Sequence, residues 1–383
     1  MFRTICYTQI DDALPLWQSN DKTVHGIAQS ALWLKLWQQY VNPDCIVLAL
    51  FIDESPALLL PLEVIRQNRQ HIARFAGGSH ANCNFPVLFP AFSERVTQEH
   101  INALVACLKE ARPDIALLSL TRQMQNWLGF SNPLLGLNHQ RNPNPALMAS
   151  LPDQFDRILE RSNASRKRKK HRQHARRYDE TGSWRIYTAT GAAENQAAFD
   201  AFYAMKTARF AQQGIANSFA GDDLGNFFQN LFAAPENDTQ KQYCLHVLEV
   251  ADKPRAVIGC AYWQSPEGAP APIQRGLTVE FGAFADDDLV TASPGDFLFY
   301  ETIAKAIDER LDYFSFGIGE EKYKRDWCDI EQPLYDSHIA LTFTGRLNAS
   351  LNQLRSGLVY RIKTNKYLWP LAKKLRSKLR RSA

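Results

Sequence analysis

The chain has 383 residues, of which 45% are hydrophobic, 11% aromatic and 22% charged. This composition excludes a largely disordered chain and predicts two globular domains, because one domain commonly holds about 100–200 residues. No apolar run is long enough to cross a membrane, and the first residues lack an apolar signal core. The seven scattered cysteines fit reduced thiols, so we expect a cytoplasmic protein.

The net charge of +4 is distributed unevenly along the chain. Residues 161–177 hold nine Lys and Arg, residues 337–383 hold eleven, and neither segment has an acidic residue. Because the two segments together carry +20, the rest of the chain carries −16. The sequence therefore describes an acidic body with two basic segments.

The first 150 residues combine helical and strand patterns. The predicted elements are helices at 31–40 and 98–111 and strands at 45–53, 57–65 and 114–120. A turn at 53–56 joins the first two strands. Residues 129–152 are rich in Asn, Pro and Gly, and we place the domain boundary there.

The second half begins with one or two predicted helices at 153–181. Ser165 is the expected N-cap of the basic stretch, and Gly182 is the expected end of the helix. From residue 183 onward helices and strands alternate. The predicted elements are helices at 192–213 and 297–311 and strands at 184–190, 244–251, 256–263, 276–284 and 313–319. This order predicts an α/β (α+β) fold with mixed sheets flanked by helices.

A helix start is predicted at Ser293, where Pro294 falls in the first turn and Asp296 stands three residues after the cap. A helix N-terminus that follows a strand can bind phosphate or pyrophosphate through its free N–H groups. The alternative is a well-capped helix without a ligand, with the Asp296 carboxylate at the anion position.

A second group of candidate residues follows the last predicted strand. Gly317 and Gly319 allow close approach of a ligand to the backbone. Glu321, Tyr323 and Lys324 offer a base, a phenol and an ammonium that can move protons and stabilise developing negative charge. A surface charge cluster is the alternative interpretation.

These motifs resemble the signature of the CelD-related (cellulose biosynthesis-type) acetyltransferases of the GNAT superfamily. The matching residues are Ser293, Pro294, Gly295, Phe314, Gly317, Gly319, Glu321, Tyr323, Lys324 and Trp327. Ser315 stands where the family commonly has Asp. Residues 125–134, 165–182 and 205–219 are similar to further segments of the family, and the chain is more distantly similar to the Fem aminoacyltransferases.

The resemblance implies two tandem GNAT-like domains, each a mixed β-sheet flanked by helices. The expected bounds are 1–150 for the N-terminal domain, 151–182 for a basic helical connector, 183–345 for the acyltransferase domain and 346–383 for a basic amphipathic tail. The activity implied is acyl transfer from acetyl-CoA or another acyl-CoA to an amine, sugar or polysaccharide-precursor acceptor.

The resemblance also implies roles for the candidate residues. Lys324 would stabilise the oxyanion, Tyr323 would protonate the leaving thiolate, and Glu321 would accept the amine proton. The expected cofactor-binding residues are Ser293, Pro294, Gly295, Gly317 and Gly319. Lys206 and Arg209, three residues apart on a helix, would hold an anion of substrate or cofactor, although a solvated charged face is the alternative. The histidines show no metal-binding spacing, so we expect no metal.

Two other functions stay open. A Fem-type transferase would use aminoacyl-tRNA as donor, with the basic helix holding the tRNA. A non-enzymatic protein on a GNAT scaffold would bind RNA or an anionic surface.

The two basic segments differ in the apolar and aromatic residues that accompany their Lys and Arg. Residues 161–177 lack aromatic residues for base stacking, so nucleic acid is not their expected partner, and His171 and His174 are expected to face solvent. Residues 351–381 interleave Leu and Trp with Lys and Arg. This pattern predicts binding to an anionic membrane at its inner face, or packing onto the acidic body.

Overall fold

The computed structural model describes residues 1–18, 23–233, 242–266, 269, 272–365 and 367–369. The chain forms two compact units. The first comprises Met1–Ala146, Ser265–Ile273 and Gln332–Ala383, and the second comprises Leu147–Gln264 and Gln274–Glu331. Each unit contains a mixed sheet flanked by helices, which confirms the predicted fold class.

The strands and helices below are those of the described residues. The strands are β1 (Phe2–Tyr7), β2 (Cys45–Ile52), β3 (Ser55–Gln67), β4 (Gln70–Phe75), β5 (Val87–Leu88), β6 (Ile115–Met124), β7 (Asn126–Trp127), β8 (Phe130–Ser131), β9 (His139–Arg141), β10 (Ala146–Ser150), β11 (Trp184–Thr188), β12 (Tyr243–Val250), β13 (Lys253–Gln264), β14 (Arg275–Phe284), β15 (Tyr313–Ile318), β16 (Ile330–Gln332) and β17 (Leu334–Ala340). The α-helices are α1 (Leu14–Gln18), α2 (Ala31–Tyr40), α3 (Gln98–Ala111), α4 (Phe155–Glu160), α5 (Ala164–Thr181), α6 (Gly191–Gln213), α7 (Asp222–Ala233), α8 (Pro294–Asp308), α9 (Lys322–Arg325) and α10 (Phe343–Thr364).

The sheet of the first unit has the order β1-β2-β3-β4-β6-β17-β9, and β5 pairs with β3. The β2–β3 hairpin turns at Asp53 and Glu54, which both have positive φ, the backbone geometry of a two-residue hairpin loop. Every residue of β2 is buried, because the strand lies inside the sheet and is covered on both faces. Ser30 caps α2 by accepting a hydrogen bond from the Trp33 N–H.

The units differ from the expected domain bounds at both ends of the second domain. β17 pairs antiparallel with β6, so residues from Gln332 onward belong to the first unit and not to a domain ending at 345. The expected connector at 151–182 contributes Ile158, Leu159 and Tyr178 to the buried core of the second unit.

The tail expected at 346–383 begins as an ordered helix. α10 covers Phe343–Thr364 and packs against β17 and β6. The remainder of the predicted amphipathic tail, including Leu371, Leu375 and Leu379, lies outside the described residues.

The sheet of the second unit has the order β11-β12-β13-β14-β15-β10-β16. α8 contributes the largest apolar group to its core, with Phe297, Leu298 and Ile303 almost completely buried. The next subsections concern the edge of this sheet where β14 and β15 end.

Candidate active site

β14 and β15 run parallel but are hydrogen-bonded over only part of their length. Their pairing covers three residue pairs and ends at Thr278 and Ser315. β14 nevertheless continues to Phe284 and β15 to Ile318. The two strands therefore separate toward their carboxyl ends, which is the side of a sheet where ligands commonly bind.

α8 begins at this edge, as predicted, but without the predicted cap. Ser293 has a left-handed backbone with φ of 48°, and its side chain makes no capping hydrogen bond. Pro294 occupies the first helical position. The Asp296 carboxylate pairs with Lys170 Nζ at 2.8 Å. The carboxylate thus reaches α5, and neither polar side chain that predicted a cap provides one.

Gly295 lies against the end of β14. A Cβ atom at Gly295 would be 3.2 Å from Phe284 Cδ1, a tight contact. The Arg209 guanidinium of α6 lies 4.5 Å from the centre of the same Phe284 ring. The start of α8, the end of β14 and the cation on α6 therefore form one continuous surface.

β15 leaves the sheet through two glycines in left-handed conformations. Gly317 has φ of 65° and Gly319 has φ of 124°. A Cβ atom at Gly319 would lie only 2.6 Å from the Glu321 carboxylate. Any residue other than glycine would therefore displace the Glu321 side chain. The Gly-x-Gly motif is thus explained by the geometry of the turn that leads into α9.

Lys324 is buried on α9, directly beside the exit of β15. Its side chain is 8% exposed, Nζ donates to the Ile318 carbonyl at 2.8 Å, and the ammonium pairs with Glu321 at 3.0 Å. An ammonium has three protons, so one remains for a ligand oxygen. The lysine predicted from sequence therefore stands at the end of β15.

Tyr323 lies on the same helical turn, with its ring stacked on Phe299 at 5.6 Å and its edge toward Phe316 at 6.1 Å. Desolvation raises the pKa of its phenol well above the ordinary value, and Glu321 adds to the effect. The charge of Arg209 has a smaller, opposite effect on this pKa. The Tyr323 phenol therefore stays protonated at neutral pH.

Lys206 lies one turn before Arg209 on α6. Its ammonium is 5.4–5.8 Å from the centres of the Phe202, Phe210 and Phe219 rings. Burial, with the charge of Arg209 as the second cause, lowers its pKa to about 8. Among the described residues no carboxylate pairs with Lys206 or Arg209. Two adjacent cations without a counter-ion favour an anionic ligand.

A cavity of about 290 Å³ lies between α5, α8 and α9, within the second unit. Its walls combine cations, aromatic rings and two carboxylates. They are formed by Ser162, Asn163, Arg166, Lys167, Lys170, His171, His174, Asp296, Phe297, Tyr300, Lys322, Tyr323, Asp326 and Trp327. Tyr323 is the candidate catalytic residue that lines this cavity.

The basic helix α5 is one wall of this cavity, and its histidines are not exposed as predicted. The His171 ring stacks on Phe297 and Tyr300 at 4.4 and 4.0 Å, with Nε2 2.6 Å from Glu301 Oε1. His174 is 7% exposed, and burial, followed by the charge of Lys170, lowers its pKa to about 4.

His171 and His174 are not exposed because they lie on one face of α5 that packs against the rest of the second unit. Lys167, His171, His174 and Tyr178 recur at intervals of three and four residues, which places them on one face of α5. Lys167 Nζ lies 3.5 Å from the centre of the Trp327 ring and donates to the Asp326 carbonyl at 2.7 Å. The three- and four-residue spacing of these side chains is the feature of the sequence that indicates this buried face.

The N-cap of α5 also differs from the prediction. Asn163, not Ser165, accepts the hydrogen bond from the Arg166 N–H at 2.9 Å. The helix ends at Gly182, as expected, with its N–H bonded to the Tyr178 carbonyl. In the described part of the chain, no three His, Cys, Asp or Glu side chains group as a metal site.

Residues 165–325 match the family model described as the acetyltransferase (GNAT) domain. No curated protein matches the chain. Among solved structures, FemX has a TM-score of 0.54 at 11% identity, over 92% of this chain and 100% of FemX. A conserved protein of unknown function from Bacteroides thetaiotaomicron VPI-5482 has a TM-score of 0.50 at 14% identity, over 88% of this chain and 98% of that chain. A tandem GNAT protein from the clavulanic acid biosynthesis pathway has a TM-score of 0.45 at 8% identity, over 89% and 99%.

At these identities the solved structures show a shared fold and no more. The match to the domain model supports the predicted GNAT superfamily, and the FemX structure supports the predicted similarity to Fem proteins at the level of the fold. Membership of the CelD-related family stays a prediction. Residues 165–325, less than half of the chain, therefore match a GNAT acetyltransferase domain, and this match supports an acyltransferase.

Proposed function

We propose that the second unit transfers an acyl group from an acyl-CoA to an amine of a small-molecule or saccharide acceptor. The observation that carries the proposal is the edge where β14 and β15 separate. The start of α8, the exit of β15, Arg209, Tyr323 and Lys324 all lie around that edge. Acetyl-CoA is the simplest donor to test.

The residues at this edge fit an extended, phosphate-bearing cofactor. The two strands separate there, and the first turn of α8, Ser293–Gly295, presents N–H groups suited to a pyrophosphate. Gly317 and Gly319 would hold the cofactor by letting the backbone come close. An acyl thioester supplies an activated acyl group there.

The side chains supply proton transfer and charge stabilisation. The protonated Tyr323 phenol is suited to donate a proton to a leaving group, and the exposed Glu321 carboxylate to accept one from the acceptor amine. The remaining Lys324 proton is suited to stabilise negative charge on an oxygen. Lys324 also holds Glu321 at 3.0 Å, so it orients the base as well.

Lys206 and Arg209 are suited to bind an anionic group of the cofactor or the acceptor. Because Lys206 has a pKa of about 8, it is charged below that pH and attracts an anion there. We expect kcat/KM to fall as the pH rises through about 8, since this ratio reports the free enzyme. Lys206→Arg should remove the fall and Lys206→Met should lower kcat/KM on the acid side, with the pH profiles of the three proteins as the measurement. A profile unchanged in both variants would exclude this role.

Gly295→Val tests the cofactor site. The new side chain must press on Phe284 or project toward the ligand, so we expect the KM for acyl-CoA to rise roughly tenfold, a change of about 1.4 kcal/mol. Gly295→Ala should have a smaller effect. Gly225→Val is the control, because a Cβ atom there meets nothing closer than 3.9 Å. An unchanged KM in Gly295→Val would show that the start of α8 is only a helix terminus.

The donor is identified by mass spectrometry of the purified protein for retained acyl-CoA and by thermal shift with added donors. Stabilisation by acetyl-CoA, and not by aminoacyl-tRNA, is the expected result. Stabilisation by aminoacyl-tRNA alone would favour a Fem-type transferase. A protein that binds neither donor would contradict the proposed function.

A further inference from the structure

α10 exposes a continuous apolar stripe. Phe343, Leu347, Leu351, Leu354 and Leu358 are between 53% and 83% exposed. At about 100° per residue, these five positions fall within about 80° of the helix circumference. Single exposed apolar residues are ordinary, but five on one stripe mark an interaction surface.

The opposite face of α10 fixes the orientation of this stripe. Gly345 and Ala349 are buried, and a Cβ atom at Gly345 would overlap the Ala116 carbonyl of β6. The Leu341 N–H also donates to Ala116 O at 2.9 Å just before the helix begins. A rotation of α10 that buried the stripe would therefore break the contacts of Gly345 and Ala349 with the sheet.

The charge around the stripe is positive. Arg346 and Arg355 are exposed and flank it on opposite sides, about 100° and 80° from Leu347. The segment 337–383 has eleven Lys and Arg and no acidic residue. Whatever covers the stripe must therefore be apolar at its centre and negative at its edges.

We infer that α10 binds an anionic lipid surface, with the apolar stripe inserted between head groups and the arginines paired with phosphates. An apolar face flanked by basic residues is typical of helices that lie in the plane of a membrane interface. No described helix has the length and hydropathy needed to span a bilayer. A second copy is disfavoured, because two stripes packed together would bring arginines against arginines without a carboxylate on either helix.

The test is co-sedimentation of the full chain with phosphatidylcholine vesicles, with and without phosphatidylglycerol, at low and high salt. We expect binding to the anionic vesicles that weakens with salt, and binding to neutral vesicles at least about tenfold weaker. The double variant Leu347→Gln, Leu354→Gln should lose about tenfold or more of the binding, because it removes apolar area without touching the buried face. Ile273→Gln, at another exposed apolar position of the first unit, should bind like the unchanged protein.

A second variant separates charge from apolar contact. Arg346→Gln, Arg355→Gln should weaken binding at low salt and reduce its salt dependence. Equal binding by the stripe variant and the unchanged protein would overturn the inference and assign lipid binding to other basic residues. The inference would also be overturned if neither protein bound vesicles and the unchanged protein formed a dimer that the stripe variant did not form. The stripe would then be covered by a second copy of the chain.

Discussion

Lys324→Met is expected to lower kcat by about 10²–10³-fold and to leave acyl-CoA binding unchanged, because removing a donor at the site of developing charge typically has that effect. Methionine keeps much of the volume of the lysine stem, so the packing of a side chain that is 8% exposed should survive. The measurements are kcat, the dissociation constant of acyl-CoA and the thermal unfolding midpoint. Lys253→Met, at the exposed first residue of β13 beside the hairpin turn, is the matched control.

The structure adds a second explanation that the experiment must separate. Lys324 pairs with Glu321, so its loss could act by releasing the base and not by removing a donor to the acyl oxygen. If positioning is the whole role, Glu321→Gln should reproduce the loss and the double variant should be no worse. If Lys324 also stabilises charge, Lys324→Met should be the more damaging single change. A kcat near that of the unchanged protein would leave this lysine with a structural role only.

Local sequence patterns predict most of the helices and strands, because the side chains that each element buries recur with the period of that element. The helices predicted at 31–40 and 98–111 have those bounds in the structure. α7 was not predicted, although Leu224, Phe227, Phe228 and Leu231 have helical spacing. The pairing of β17 with β6 could not be predicted, because it joins residues about 200 positions apart and no local pattern records such a partner.

The candidate site was predicted in its motifs but not in its contacts. The glycines at the exit of β15 and the helix start at Pro294 could be found, since both follow from backbone requirements. The orientation of Lys324 toward Ile318 could not, because it depends on how α9 turns back onto the strand. The basic run suggested a solvated helix, because its charges outnumber the residues that pack against α8.

That packing leads to the last prediction, which concerns His174. Its pKa is lowered to about 4 in the folded protein by burial and by Lys170, whereas an exposed histidine titrates near 6.5. Between these values the unfolded chain binds the proton and the folded chain does not, so stability rises with pH. The contribution is fully present above about 6.5 and is lost as the pH falls toward 4. The shift corresponds to at most about 3 kcal/mol.

His174→Gln should therefore flatten the dependence of the unfolding midpoint on pH between about 4 and 6.5, a difference of several degrees for a unit of this size. Calorimetry of both proteins across this range is the measurement. Gln173→His is the control, since it places a histidine on the exposed side of the same helix, where its titration should not change stability. Parallel pH profiles for His174→Gln and the unchanged protein would mean that His174 takes up a proton without disturbing α5. In that case the contact of α5 with α8 would not depend on a neutral imidazole, and the wall of the cavity would tolerate another charge.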